Sequence, residues 1–146
     1  MYFMWLSDDQ QALWRTYLQM SSRLQAELNR QLQGSGLSLA DYDVLVALSE
    51  RPGCRMSALG EHLGWEQSRV SHQLARMRAR GLVARTDSAE DRRAAAVELT
   101  AAGARVLRDA APGHAESVRA TVFDAMTPAQ ARALRTWMTG VLHRLG

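Results

Sequence analysis

The sequence predicts a mainly α, α+β fold with its elements in the order α-α-α-α-β-β-α-α, and three observations carry that reading. Apolar residues recur at three- and four-residue steps through most of the chain. Two short helical patterns flank a turn at Gly64. Directly behind them, a polar, arginine-bearing stretch separates two short β-patterned runs, Leu82-Val83-Ala84-Arg85 and the segment from Ala94 to Leu99.

The elements follow in order. Over about residues 7–32, Leu13, Trp14, Tyr17, Leu18, Leu24, Leu28 and Leu32 form an apolar stripe with no breaker inside it. A long first helix is expected, ending at Gly34-Ser35-Gly36. Ser38-Leu39-Ala40-Asp41 offers a capping box for a second helix carrying Tyr42, Leu45, Val46 and Leu48, which stops ahead of Arg51-Pro52-Gly53. Ser57 is expected to cap a short third helix with Leu59 and Leu63 inward, and Gly64 to close it in the left-handed conformation. Residues 64–66 turn the chain into a fourth helix over about residues 67–80. Its buried stripe is Val70, Leu74 and Met77, which places Ser68, Arg69, Ser71, His72 and Arg76 on or near the opposite face.

Gly81 closes that helix, residues 82–85 read as a strand, residues 87–93 as a polar hairpin tip, and Val97 and Leu99 mark one face of the returning strand. Thr100 can cap a fifth helix through Val106 and Leu107, expected to be interrupted or kinked near Pro112-Gly113 and to resume through Val118, Val122 and Phe123. Thr127-Pro128-Ala129-Gln130 is the clearest helix start: a cap, proline at the first helical position and glutamine at the third. The last helix carries Leu134, Trp137, Met138, Val141, Leu142 and Leu145. A short helix, a turn, a second helix with an exposed Ser, Arg and His face and a basic hairpin behind it outline a winged helix-turn-helix, a fold suited to reading DNA.

Composition bounds this reading. With 146 residues, 47% of them hydrophobic, the chain can bury one core, and no linker marks a second domain. One domain over residues 1–146 is expected, with a winged lobe at about 38–100 and flanking helices at about 1–33 and 101–146. Net charge is only +3, yet all 18 basic residues are arginine and seven lie between Arg69 and Arg93. A GC-rich genome accounts for arginine over lysine, but composition bias does not choose a location.

A single cysteine, Cys54, excludes an intrachain disulfide and fits a reducing cytoplasm. The apolar start, Met1 to Leu6, lacks the basic region of a signal peptide, and no apolar run approaches the ~20 residues needed to cross a bilayer. A soluble, cytoplasmic protein without a membrane partner is expected. His62, His72, His114 and His143 are widely spaced, and neither a phosphate-cradling glycine loop nor a nucleophile–base set is present. The chain is therefore expected to be no enzyme and to need no metal or cofactor.

The apolar stripes of the first helix and the last two lie outside the helix-turn-helix in sequence, and the N-terminal hexapeptide would be stranded on a monomer. A homodimer built from both chain ends would cover them. It would also set two recognition helices about 34 Å apart, the spacing of successive major grooves.

Leu59-Gly60-Glu61-His62-Leu63-Gly64, Ser68-Arg69-Val70-Ser71, Leu74-Ala75-Arg76-Met77, Gly81-Leu82-Val83-Ala84-Arg85, Asp91-Arg92-Arg93 and Leu99-Thr100-Ala101-Ala102-Gly103 together resemble, in order and spacing, the multiple-antibiotic-resistance regulator (MarR) family of bacterial transcription factors. The resemblance covers essentially the whole chain. It implies a homodimer whose terminal helices pair and whose two winged lobes grip double-stranded, pseudo-palindromic operator DNA, commonly as a repressor relieved by a ligand or an oxidant.

On that resemblance, Ser68, Arg69, Ser71, His72 and Arg76 enter the major groove or touch its phosphates, the alternative being an ordinary solvated helix face. The family's Asp-x-Arg wing motif implies that Arg93 enters the minor groove with Asp91 holding its side chain extended, while Arg92 and Arg85 meet phosphates. Asp91 also fits a plain turn role. Trp14, Tyr17, Tyr42 and Trp65 match the family's habit of binding small aromatic or phenolic ligands, although aromatics at helical spacing are commonly core. Trp65, in the turn, could instead prop the recognition helix.

Cys54 raises the oxidation-sensing branch, whose cysteine lies early in the first helix. Here Cys54 is placed in the Pro52-Gly53 turn, where an incidental thiol fits as well. A winged-helix module that binds a protein and reads no DNA is the competing class. Another winged-helix regulator family is disfavoured by the two long helices after Leu99-Thr100.

Overall fold

Ser7 starts the first helix by accepting a hydrogen bond from the Gln10 N–H, while the Gln10 side chain accepts one from the Ser7 N–H. In this computed structural model, which describes residues 5–86 and 95–146, that helix is α1 (Asp8–Leu32). A single 3₁₀ turn, Gln33–Ser35, follows. The same reciprocal cap recurs where expected at α2 (Leu39–Glu50), between Ser38 and Asp41. It recurs again at α6 (Pro128–Leu145), between Thr127 and Gln130. Each box satisfies two backbone groups from within four residues, which is why local sequence reveals it.

Between α2 and α6 run β1 (Cys54–Arg55), α3 (Met56–Leu63), α4 (Gln67–Ala79), β2 (Val83–Thr86), β3 (Ala96–Leu99) and α5 (Ala101–Val118). The strands form one antiparallel sheet in the order β1-β3-β2, with Cys54 opposite Val97 and Val83 opposite Leu99. β1 was not anticipated. Cys54 accordingly lies in a strand beside the wing, not in the turn that precedes it.

That strand also displaces an expected cap. α3 begins at Met56, with Arg55 at the cap position and no side-chain cap bond, so Ser57 lies inside the helix. The Met56 N–H donates to the Ala95 carbonyl at 3.3 Å, so the first helical residue is tied to the chain entering β3 and the helix leaves β1 directly. Of the interruption or kink expected near Pro112-Gly113, the interruption does not occur: α5 runs through Pro112 from Ala101 to Val118. Pro112 and Arg108, whose carbonyl it cannot serve, are both exposed, and the wide turn comes later, at a π segment, Arg119–Phe123, closed by Asp124 N–H on the Arg119 carbonyl.

Two compact units divide the chain, Met1–His114 and Ala115–Gly146. The core of the first is built from Leu32, Leu37, Val44, Leu45, Leu48, Leu59, Val70, Met77 and Val97, all essentially buried. Within it, α4 offers its Val70, Leu74 and Met77 stripe inward as expected. α1 leaves Leu13, Trp14, Tyr17, Leu18 and Met20 exposed. In the second unit, α6 does the same with Leu134, Trp137, Met138, Leu142 and Leu145.

Candidate nucleic-acid interface

The turn between α3 and α4 is set by Gly64 at φ +68°, with Trp65 N–H donating to the Gly60 carbonyl at 2.9 Å. An L side chain rarely adopts that φ, so glycine fixes the angle at which α4 leaves the core. Ser68, Arg69, Ser71, His72 and Arg76 are all exposed on α4. They share the outward side because Val70, Leu74 and Met77 hold the other side in the core. Arg85, on β2, is exposed as well. Asp91, Arg92 and Arg93 lie outside the described residues, as does the rest of the expected hairpin tip over 87–93.

Two of the outward arginines have defined neighbours. The Arg69 guanidinium carbon lies 3.9 Å from the centroid of the Trp65 ring, a cation–π contact across the helix start. Arg76 Nη2 donates to Gln73 Oε1 at 2.8 Å. Gln73 itself is buried, and its Nε2 donates to Asp41 Oδ1 at 2.5 Å. Asp41 Oδ2 accepts from Arg80 Nη1 at 2.8 Å and from the Ser38 N–H, while Arg80 Nη2 reaches the Gly36 carbonyl.

Sequence reading assigned nothing to Gln73, Arg80 or the outer role of Asp41. One signal was available: Gln73 stands three residues after Val70 and four before Met77, on the buried stripe. Burial would raise the Asp41 carboxyl, but the Ser38 amide and the Arg80 guanidinium hold it below the usual carboxylate range.

The four aromatics are not gathered into one site. Trp14 and Tyr17 stack on each other on the exposed side of α1, with ring centroids 5.3 Å apart. Tyr42 is buried against His114 at 4.1 Å. Trp65 stands in the wall of an open cleft of about 670 Å³ between α1, α2 and the α3–α4 turn, shared with Asn29, Leu39, Asp43, Leu63 and Arg69. Burial raises the Asp43 carboxyl, opposed by the positive charges of His114 and Arg69. Burial lowers His114, opposed by Asp43. Cys54 is buried with its Sγ donating to the Arg55 carbonyl at 3.3 Å, a setting unlike that of an exposed thiolate.

A recognition helix fixed by a core stripe, its outward face polar and cationic, beside a three-stranded antiparallel sheet, defines a winged helix-turn-helix protein. The chain belongs to the MarR family of transcriptional regulators. The MarR family profile matches residues 35–94. The transcriptional regulator HosA of Escherichia coli is 40% identical over 76 residues, a stretch spanning 52% of this chain and 56% of HosA, so the match spans only about half of that relative's length. Two MarR family transcriptional regulators from Streptomyces coelicolor match almost end to end. AbsC is 36% identical with a TM-score of 0.91, covering 98% of each chain. Sco3205, solved in complex with DNA, is 39% identical with a TM-score of 0.91, covering 97% of this chain and 94% of its own. Among the described residues, no helix is long and apolar enough to cross a membrane.

Proposed function

We propose that this chain is a homodimeric repressor that binds pseudo-palindromic operator DNA in the cytoplasm and is released by a small aromatic or phenolic ligand. The observation that carries the reading is the outward face of α4: Ser68, Arg69, Ser71, His72 and Arg76 all stand exposed on a helix anchored by three core residues. The similarity to Sco3205, which was solved with DNA bound, supports it. In this reading Arg69 and Arg76 meet guanine edges or phosphates, Ser68, Ser71 and His72 complete the groove face, Arg85 and Arg92 hold the backbone, and Arg93, steadied by Asp91, enters the minor groove.

The large apolar side chains left exposed on α1 and, separately, on α6 support self-association, since a partner normally covers such side chains. One domain over residues 1–146 then serves as the protomer, with residues 1–33 and 101–146 pairing and residues 38–100 reading. The cleft beside Trp65, Leu39 and Leu63 gives an aromatic ligand both an apolar wall and, in Arg69, a cation.

Footprinting the purified protein on DNA flanking its own gene tests the central claim, with a protected pseudo-palindrome expected. On that operator, fluorescence anisotropy of Arg93→Ala should show a loss of a few kcal/mol at most with the dimer intact, whereas Arg92→Ala should flatten the salt dependence by about one unit of slope. No protection, or full affinity in Arg93→Ala at physiological salt, would count against the assignment. Small phenolic and aromatic acids should displace the operator in the same assay.

A further inference from the structure

We infer that Gln73 is a positioning residue for DNA binding: held from below by Asp41, it presents its carbonyl oxygen to Arg76 and fixes that guanidinium at the protein surface before DNA arrives. The inference rests on the proposed DNA-binding reading and adds to it a residue that no groove contact would reveal.

Hydrogen-bond chemistry allows the Gln73 amide one orientation. Ionised Asp41 only accepts, and both its oxygens are engaged: Oδ1 by Gln73 Nε2, Oδ2 by Arg80 Nη1 and the Ser38 N–H. A guanidinium only donates, so the group facing Arg76 must be an acceptor, as Gln73 Oε1 is. Turning the amide over would set oxygen against carboxylate and NH₂ against guanidinium, replacing two attractions with two repulsions. Asp41 is 6% exposed and Gln73 4%, and the bond between them is buried, so neither exchanges the other for water.

Spacing completes the device. Gln73 and Arg76 stand at i and i+3 on α4, and Arg80, its C-cap residue, follows at i+7. The segment is pinned at Gln73 and Arg80 by a single carboxylate from the start of α2, with Arg80 also tied to the Gly36 carbonyl. Arg76 lies between the two pins and is exposed. A free arginine surrenders much of its rotamer entropy on meeting a phosphate, whereas one already held has surrendered part of it in folding.

The test uses the full-length dimer and a mixed-sequence DNA duplex long enough to span two half-sites, with affinity followed by anisotropy across a salt series. Wild type should bind with a steep salt slope, and Arg76→Ala should lower that slope by about 0.9, the value of one phosphate contact. Gln73→Met, which keeps the length and loses the amide, should weaken binding by roughly five- to tenfold, in keeping with a long side chain set free. The double variant Gln73→Met with Arg76→Ala should bind no more weakly than Arg76→Ala alone. Losses that multiply, or a Gln73→Met variant with wild-type affinity, overturn the positioning role.

A measurement on the wild type stands apart from any folding defect in the variant. ¹⁵N relaxation of the Arg76 Nε in the DNA-free protein should report a side chain more rigid than Arg78, and equal mobility overturns the inference. Failure of wild type to bind any duplex would instead remove the DNA-binding reading itself, leaving the rigidity of Arg76 as a separate result.

Discussion

Gly103→Ala is expected to destabilise the fold by about 3 kcal/mol, although alanine is the better helix former by ~1 kcal/mol. A methyl group at this position would fall 2.0 Å from the Leu82 carbonyl oxygen and 3.0 Å from its carbon. Both atoms are backbone, so no rotamer change relieves the clash, and α5 must withdraw from the chain entering β2. Withdrawal strains a tight junction. The Thr100 N–H donates to that same Leu82 carbonyl at 3.1 Å. The Thr100 hydroxyl donates to the Gly81 carbonyl at 2.6 Å and accepts from the Gly103 N–H at 3.0 Å. Overpacking therefore outweighs the gain in propensity. Thermal unfolding followed by circular dichroism should show Tm lower by about 10 °C, from the few degrees per kcal/mol typical of this size. An unchanged Tm would mean that α5 slides past Leu82 at no cost.

The second large effect belongs to Asp41. Asp41→Ala removes the α2 capping box and leaves the buried Gln73 amide without its acceptor, together costing about 3 kcal/mol. Arg80 is half-exposed and recovers water, so its share is small. The pH dependence has a definite sign. Because the folded carboxyl is held below its ordinary value of 3.8, its contribution is complete above that value and is lost as pH falls through the still lower folded value. Urea unfolding of wild type at a series of acidic pH values should show this decline, and Asp41→Ala should lack it. A wild-type-like acid decline in the variant would place the titrating group elsewhere.

His114 adds a decline of its own. Its folded pKa is lowered by burial, so the unfolded chain takes up the proton first, and the penalty begins as pH drops through the ordinary histidine value of 6.5. The two declines occupy different pH ranges and can be separated on one curve.

What the sequence revealed follows the range of the interactions involved. The caps at Ser38 and Thr127 were legible because a side chain and a backbone group three residues apart suffice. The outward face of α4 was legible because Val70, Leu74 and Met77 mark its reverse. Ser57 misled because the helix starts one residue before it, at Met56, directly out of a two-residue strand that no local pattern announces. β1 has two residues, too few for alternation to register. The Asp41–Gln73 bond joins positions 32 residues apart, and its polar members sit where a pattern reader expects only hydrocarbon. Gly103 was visible as a glycine in a motif, but its reason lies in a carbonyl that packing brings against it.

The strand too short to notice has an effect larger than its length. β3 is paired along its whole length by β2 and at Ala96 and Val97 by β1, and the described sheet ends in margins of two and four residues. Margins that short give a stray strand from another molecule little to zip onto. In the proposed dimer, joining through the described sheet is thereby discouraged, and self-recognition is left to helices.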